Sequence, residues 1–574
     1  MKLSKILIVA AASCMMLSSC YDLDRYPDDQ LAGGTFYQTD AHAKAAMMGV
    51  YTVMRWDHVY GYAFAWDGLG GISAGYDNQS MVNIQKGTLP QSNSYYTTKW
   101  SYCYEGIARA NDVLRNVDKL QESDEIKDRY RAEARFMRAV YYWHLFKFYG
   151  GVPLYDESWN VATDYDKMLE PRATEEATRK FILDDIEAAL ALPRTWPAAD
   201  NGRATWGAAM SFKGKVLLFN KQYKEASECF KEVINSGLYQ LNASYADLFQ
   251  PAADACSEMI FSIQNLGGVG KDLGMPLCFH LGTNSAFGYS WNNCMASCNF
   301  ANEYEWKDGS PFDWADFITD LTGDYSWSNI RKVLRSKTND SKNKVTEYTP
   351  YKQDLIDMYN DRDPRMNASL ITPYSHYTGG CGNKEIDYEF VILSDMNVPA
   401  QCGILKCNSS AKFYPWRKFV PVGIMGGAIN NRAHTPINFP LIRYADVLLM
   451  QAECLNELGD QTGACSLINQ VRTRKSVNMP ALNSGPAWLV ATTHDQVFER
   501  IRHERRIELA CEGHSFDDMR RWGLLEELDG VYEDELDEYK KKSYQRKVTK
   551  RDYLWPIPLS EIDKNPNLKQ NPDW

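Results

Sequence analysis

The chain contains 574 residues, of which 44% are hydrophobic, and carries a formal net charge of −11 at pH 7. This length exceeds what one hydrophobic core supports and predicts two or more domains or a long helical array. Because phosphate binding requires a basic surface, the acidic balance argues against nucleic acid as a partner. Aromatic residues reach 13% of the chain, with 16 Trp and 35 Tyr, and this excess indicates ligand binding in addition to packing.

The N-terminus has the layout of an export signal. Two lysines precede an apolar run at 6–17, which is too short to span a membrane as a permanent helix. Residues 17–20, LSSC, resemble a bacterial lipobox, so we expect a signal peptide at 1–19 and acylation of Cys20, which would anchor the protein in a membrane. An ordinary secretory signal with an incidental cysteine is the alternative.

Four aspartates follow Cys20 closely. Such an acidic leader resembles the surface-export signal of lipoproteins in the Bacteroidetes, which predicts a lipid-anchored protein of the outer membrane that faces the extracellular side. Export permits disulfides, but the cysteine spacing predicts no particular pairing and contains no C-x-x-C zinc site.

Helical periodicity begins at residues 37–55, with Asp40 as the expected N-cap. The glycine-rich stretch 56–78 carries Trp66 and Asp67 in a composition typical of a functional loop. A second helix is predicted at 100–117, and it would pair with the first.

The strongest pattern is AEARFMRAVYYWHLFKFYGGVPL at 132–154. Apolar residues spaced four and three apart from Ala132 to Phe146 form one stripe of a helix that must pack on a partner. The glycines at 150–151 and Pro153 predict the end of the helix and an extended exit. Four charged residues lie mostly off the stripe and are expected to stay in water or to pair along the helix: Arg131, Glu133, Arg135 and Arg138.

Two helix-turn-helix pairs follow, at 206–220 with 223–236 and at 445–455 with 464–472. Their small and aromatic residues are spaced as in tetratricopeptide repeats. Because an isolated pair cannot bury its apolar faces, both pairs should stack with the N-terminal helices. The sequence therefore predicts a mainly α, tetratricopeptide-like scaffold built from both ends of the chain.

Between 241 and 432 the helical period mostly disappears, and aromatic residues occur in loop-like surroundings. Linkers lack bulky aromatics, so we expect an ordered, irregular and loop-rich region that forms the functional face. After it, residues 501–523 return to a helical pattern, and the prolines of the tail, from Pro556 onward, predict an extended segment without helix.

Sequence motifs for catalysis or metal binding fail on inspection. His503 and Glu504 begin an H-E-x-x-H pattern, but Ile507 stands where the second zinc ligand is required. The glutamates and arginines of 504–512 are instead expected to form ion pairs that join helices. The glycines at 267–270 lack phosphate-loop spacing, and no signature for calcium or a cofactor is present.

Sugar binding requires flat aromatic surfaces with polar groups at their rim. Tryptophans within helical patterns are expected in the core, namely Trp100, Trp143, Trp206 and Trp522. The candidates for glycan contact are the aromatic and acidic residues of the loop regions, for which packing between loops is the alternative: Trp66, Asp67, Tyr289, Trp291, Trp306 and Trp314.

Several of these stretches together resemble the SusD and RagB family of surface lipoproteins. The resemblance rests on the lipobox, on the 132–154 motif, and on three further stretches: GRATWGAAMSFKGKVLLFNKQYKEA, PLIRYADVLLMQAECLNELG and ERRIELACEGHSFDDMRRWG with the PIP…NP…QNP tail. One departure is Ser515, where the family often carries an arginine, which puts a local ion pair in doubt.

The resemblance implies a non-catalytic protein that binds an oligosaccharide or polysaccharide and closes on a SusC-like TonB-dependent transporter. It also implies an N-terminal helical domain at 20–240 and a C-terminal domain at 241–574, of which 241–435 is the irregular glycan-binding region and 436–574 the helical scaffold and tail. Two alternatives for function are a surface glycoside hydrolase, which would need a carboxylate pair, and a helical adaptor that binds protein only.

Overall fold

The computed structural model describes residues 36–75, 81–266, 274–286, 290–317, 333–381, 384–407, 412–427, 429, 434–536 and 541–574. Within these ranges the architecture is mainly α-helical, as predicted. None of the helices in this part of the chain combines the length and apolar character needed to cross a membrane.

The helices fall into an N-terminal group, a group of short middle helices and a C-terminal group. The N-terminal helices are α1 Asp40–Met54, α2 Ala63–Trp66, α3 Met81–Gln85, α4 Ser94–Asn116, α5 Asp124–Tyr149, α6 Val161–Asp164, α7 Glu175–Ala189, α8 Trp206–Phe219 and α9 Tyr223–Asn235. The middle helices are α10 Leu277–Leu281, α11 Cys298–Asn302, α12 Lys352–Asn360 and α13 Pro364–Ser369. The C-terminal helices are α14 Tyr444–Glu457, α15 Gln461–Arg472, α16 His494–Glu508, α17 Ser515–Trp522 and α18 Leu559–Lys564.

The strands are short and pair only in twos within the described ranges. Strand β2, Met259–Ile263, pairs antiparallel with β8, Phe439–Arg443, with Met259 opposite Arg443, and this pairing joins the start of the middle region to the start of α14. The strands are β1 Ser73–Ala74, β2 Met259–Ile263, β3 Met295–Ala296, β4 Lys337–Thr338, β5 Val345–Glu347, β6 His376–Cys381, β7 Lys384–Glu389, β8 Phe439–Arg443, β9 Tyr532–Asp534 and β10 Lys542–Gln545.

Helix α5 is the centre of the N-terminal group. The Ser123 side chain caps it by accepting from the backbone N–H of Ile126, and Gly150, with φ of 76°, ends it as the glycine pair predicts. From Phe136 to Tyr149 nearly the whole circumference is buried, because α4 and α7 both pack on it. The predicted single stripe is therefore too narrow.

Two charged residues of α5 are buried, contrary to the expectation that they stay in water or pair along the helix. Arg138 pairs with Asp185 of α7 at 2.7 Å, and Glu133 pairs with Arg203. Burial of a charge is tolerated when it is paired and hydrogen-bonded, and here the partners come from other elements.

The stacking of helix pairs from both ends of the chain is confirmed. Helix α9 packs against α14, α14 packs against α15 and α16, and α8 contacts β2 and β8. These contacts join residues that are far apart in sequence. Through them each helix pair buries an apolar face that it could not bury alone.

Three details differ from the predictions. Thr39, not Asp40, is the N-cap of α1, because its side chain accepts from the backbone N–H of His42. The tail contains the short helix α18, which begins directly after Pro558, a position where proline is tolerated. Trp522 is only half-buried, whereas the other three tryptophans expected in the core are buried.

Candidate functional site

Trp66 and Asp67 belong to the core and are not available to a glycan, so their prediction as contact residues is wrong. The Trp66 side chain is 2% exposed, and its ring lies 5.3 Å from that of Phe148. Asp67 is fully buried and accepts hydrogen bonds from the backbone N–H groups of Gly513 and Ser515, at 3.1 and 3.0 Å. Burial raises the pKa of Asp67 to about 7, although these two N–H groups act in the opposite direction.

The glycines that suggested an exposed loop serve close packing instead. A Cβ atom at Gly70 would overlap Ser515, so only glycine allows the two segments to approach. The Ser515 hydroxyl donates to the carbonyl of Gly70 at 3.0 Å. Ser515, the residue that departs from the family pattern, therefore contributes a hydrogen bond to the contact between the N-terminal loop and the C-terminal helices.

Four aromatic side chains of the irregular region form one continuous row. The ring centroids of Trp306 and Phe312 lie 5.3 Å apart, those of Phe312 and Trp314 5.5 Å, and those of Trp314 and Phe317 5.8 Å. Trp314 is largely buried at 8% exposure, whereas the other three rings are partly exposed. We call these four residues the aromatic row. It brings together two of the predicted contact residues, Trp306 and Trp314.

The Arg362 side chain packs against the aromatic row at Phe312. Its guanidinium carbon lies 3.4 Å from the ring centroid of Phe312, and its Nε donates to the carbonyl of Tyr304 at 2.8 Å. Burial lowers the pKa of Arg362 to about 10, so the side chain stays cationic at neutral pH. A cation on one face of an aromatic ring fixes its orientation, and the row is thereby pre-organised.

Trp291 lies in a separate aromatic pair. Its ring is 5.6 Å from that of Phe279 at an interplanar angle of 34°, and both side chains are half-buried. The Trp291 backbone N–H donates to the Phe279 carbonyl at 2.8 Å, which holds the two residues together. Tyr289 and the predicted lipidation residue Cys20 lie outside the described residues.

Sequence reasoning missed Phe312 and Phe317 as parts of the row and Arg362 as the cation that packs against it. A signal for the rings exists in the spacing from Trp306 to Phe317, because four aromatics occur there within twelve residues around a proline. The role of Arg362 has no local signal, since it reaches the row from a distant part of the chain.

Glu305, which precedes the row directly in sequence, is engaged in structural ion pairs. Glu305 contacts Arg472 at 3.0 Å and Arg500 at 2.7 Å, and the His503 imidazole lies 3.7 Å away. Burial alone raises the pKa of Glu305, but these three groups together lower it to about 2. Among the described residues, no group of three or more His, Cys, Asp or Glu side chains is placed to hold a metal ion.

The glutamates of 504–512 form the predicted ion pairs between elements. Glu508 contacts Arg443 and Arg474, each at 2.8 Å, and all three side chains are buried. The partners are not the neighbouring Arg505 and Arg506 but arginines from other segments. The glycine-rich segment at 267–270 lies outside the described residues.

Comparison with known proteins gives one consistent result. A family model described as "SusD family" matches residues 257–574, and one described as "Starch-binding associating with outer membrane" matches residues 23–218. SusD-like protein P25 of Formosa agariphila is 25% identical, over 100% of this chain and 98% of its own length. Starch-binding protein SusD of Bacteroides thetaiotaomicron is 24% identical, over 98% of this chain and 97% of its own.

A solved structure agrees in fold. The crystal structure of a SusD-like carbohydrate binding protein from Bacteroides fragilis superposes with a TM-score of 0.73 and 26% identity, covering 93% of this chain and 100% of that chain. The predicted mainly α fold and the predicted resemblance are both confirmed. The first of the two family models matches more than half of this chain, so the chain belongs to the SusD family.

Proposed function

We propose that the protein binds an oligosaccharide or polysaccharide at the cell surface and that the aromatic row is its principal contact. The observation that carries the proposal is the row itself, four linked rings of which three are partly exposed. Aromatic faces pack against the apolar C–H faces of sugar rings, and polar groups at the rim pair with hydroxyls. The similarity to a starch-binding protein and to a carbohydrate-binding protein supports the same ligand class.

Capture would be followed by delivery. In this proposal the protein has no catalytic activity, is anchored to the outer membrane through an acylated Cys20, and passes its ligand to a SusC-like TonB-dependent transporter. The division into a helical domain at 20–240 and a second domain at 241–574 belongs to the same proposal. The match of residues 23–218 to a description that includes association with the outer membrane supports the location.

The first test is retention of the mature chain, with Cys20→Ser to prevent acylation, on native gels that contain single polysaccharides. Each incubation is also assayed for new reducing ends. Retention by a polymer without new reducing ends is the expected result. New reducing ends would make the protein a glycoside hydrolase, and retention by no polymer would contradict capture of polysaccharide by the isolated protein.

The second test is Trp306→Ala, which removes a partly exposed ring from the row. The expected result is a Kd for the retained glycan that rises roughly tenfold, since one aromatic contact contributes about 1–1.5 kcal/mol. Tyr532→Ala, which removes an exposed tyrosine from β9, is the matched control and should leave the Kd unchanged. If affinity falls only in step with the folded fraction, measured by circular dichroism, Trp306 is a packing residue.

A further inference from the structure

A second concave surface lies in the helical part of the molecule. This cleft has a volume of about 620 Å³ and is bounded by α4, by the segment 153–169 and by α18. Its size is within the range of pockets that hold small organic ligands. None of its lining residues belongs to the aromatic row. We call it the helical cleft.

The walls of the helical cleft are aromatic and rigid. Tyr155 lies 6.1 Å from Tyr104 and 5.4 Å from Trp159, measured between ring centroids, and both contacts are edge-to-face. The Tyr104 hydroxyl donates to the carbonyl of Pro153, and the Tyr155 hydroxyl to that of Met168, each at 2.8 Å. Because both hydroxyls are used within the wall, these rings can offer a ligand mainly their apolar surface.

The rim of the helical cleft exposes more apolar surface than the fold requires. Tyr165 is 63% exposed, Val161 45% and Leu169 39%, and all three line the same cleft. Single exposed apolar residues are common, but a group at the mouth of a concavity marks a binding site. The Tyr165 ring is therefore available to stack on a ligand.

The polar groups of the rim are mostly acceptors of hydrogen bonds. Glu105, Asp166 and Glu561 contribute carboxylates, of which Glu105 is paired with Arg109 and Glu561 with Lys564, each at 2.8 Å. In the part of the chain that the structure describes, no cation lies within ion-pair distance of Asp166. Asp166 is thus the rim carboxylate that remains to accept hydrogen bonds, and it matches an uncharged ligand with hydroxyl donors better than an anionic one.

The C-terminal tail fixes the outer wall of the cleft. The side-chain amide of Asn565 donates to the carbonyl of Glu170 at 2.9 Å, and that of Asn567 to the carbonyl of Leu169 at 2.7 Å. Arg172 donates to the carbonyl of Lys569 at 2.9 Å. The wall is thus formed before any ligand arrives, which reduces the entropy lost on binding.

We propose that the helical cleft is a second ligand site, which binds a short neutral oligosaccharide with one sugar ring stacked on Tyr165 and hydroxyls donated to Asp166. The site shares its ligand class with the proposed function but none of its residues. It would hold a second part of a long glycan, so that the protein presents two separate binding surfaces to the same polymer.

The experiment is isothermal titration of the mature chain in detergent with maltohexaose, laminarihexaose and xylohexaose, and with hexagalacturonate as the anionic comparison. The variants are Tyr165→Ala and Asp166→Asn in the cleft, Trp306→Ala in the aromatic row, and Trp488→Ala as a matched control, since Trp488 is exposed but does not line the cleft. For at least one neutral sugar we expect binding that Tyr165→Ala and Asp166→Asn each weaken roughly tenfold.

Each outcome assigns the site differently. A separate cleft site is supported if Tyr165→Ala and Asp166→Asn weaken the binding of a neutral sugar. In that case Trp488→Ala should leave this binding unaffected and Trp306→Ala should retain it. Sugar binding lost only in Trp306→Ala overturns the cleft proposal and leaves the proposed function standing. Tighter binding of hexagalacturonate, or no binding of any neutral sugar, overturns it as well. If Tyr165→Ala changes no sugar affinity but lowers co-purification of the transporter, the cleft is a protein-docking surface and the proposal fails.

Discussion

The N-terminal helices and the irregular middle region are attached to the molecule by different means. Around α5 the contacts are chiefly those of fully buried apolar side chains such as Phe136, Met137 and Leu145. The middle region is joined to the C-terminal helices by a connected set of buried ion pairs. A helix can present a continuous apolar surface to its neighbours, whereas a loop-rich segment cannot. Charged hydrogen bonds have a defined geometry, so they can fix the position of such a segment.

The ion pairs of the middle region share their partners. Arg443, at the start of α14, contacts Glu258, Glu508 and Glu512, each at 2.8 Å, and all four side chains are fully buried. Four more cations extend the set, namely Arg365 with Glu504 and Glu508, Arg474 with Glu258 and Glu508, Arg472 with Glu305 and Glu504, and Lys418 with Glu512. The comparison predicts that neutralising a charge is costly here and that reshaping an apolar side chain is tolerated around α5.

The largest effect is expected for Arg443→Met. The substitution keeps much of the side-chain volume but leaves three buried glutamates without one of their partners, so the free energy of unfolding should fall by about 3–5 kcal/mol. Urea denaturation measures the change. Lys337→Met is the control, because Lys337 is largely exposed in its pair with Glu347 and its loss should cost less than about 1 kcal/mol. Equal small effects from both would refute the role given to the buried pairs.

Acid should weaken the attachment of the middle region through Glu305. Its folded-state pKa of about 2 is below its unfolded value, so the stabilisation is present above about pH 4.5 and is lost as pH falls toward 2. The shift corresponds to about 3 kcal/mol. We expect Glu305→Gln to be less stable than wild type at pH 7 and to approach it at pH 3, by urea denaturation. A constant difference across this range would contradict the assignment.

Lys99, in α4, is a residue of the helical region whose replacement we expect to increase stability rather than reduce it. It is fully buried beside the rings of Phe148 and Trp66, with its Nζ at 4.1 and 4.3 Å from their centroids, and donates to the His58 carbonyl at 2.7 Å. Burial holds the pKa of Lys99 well below its usual value. Replacement by Met removes the cost of burying a cation, so Lys99→Met should increase stability by about 1–2 kcal/mol at pH 7.

The pH dependence distinguishes this explanation from a packing effect. Because the unfolded lysine binds a proton more tightly than the folded one, wild-type stability should rise with pH toward about 10.5, and the advantage of Lys99→Met should shrink over that range. Urea denaturation at pH 7 and pH 9 provides the measurement. A loss of stability in the variant at pH 7 would mean that the hydrogen bond to His58 outweighs the burial cost.

The smallest effect is expected for Met137→Leu, which changes shape but not polarity in the core of α5. A volume-conserving substitution of this kind usually costs less than about 1.5 kcal/mol. Thermal and urea unfolding should both show a small change with unaltered cooperativity. A loss as large as that of Arg443→Met would erase the contrast between the two regions.

Much of the scaffold could be predicted from local pattern, and much of the site could not. The end of α5 at Gly150 and the two helix pairs follow from spacing and capping residues that lie within a few positions of one another. Trp66 was misassigned because its glycine-rich surroundings are typical of loops, and only the approach of Ser515 shows that the loop is buried. The helical cleft was missed because its walls come from α4, from 153–169 and from α18, three segments without a shared local signal.

The sequence by itself determined the helical class, the end of α5 at Gly150 and the family motifs, because these depend on periodicity and on interactions within one or two turns. The tertiary structure alone decided which aromatic residues are exposed. Trp306 and Trp66 stand in similar loop-like sequence, yet one is partly exposed in a row of rings and the other is enclosed by α5 and its neighbours. Exposure depends on what distant segments cover, and local sequence does not encode that contact.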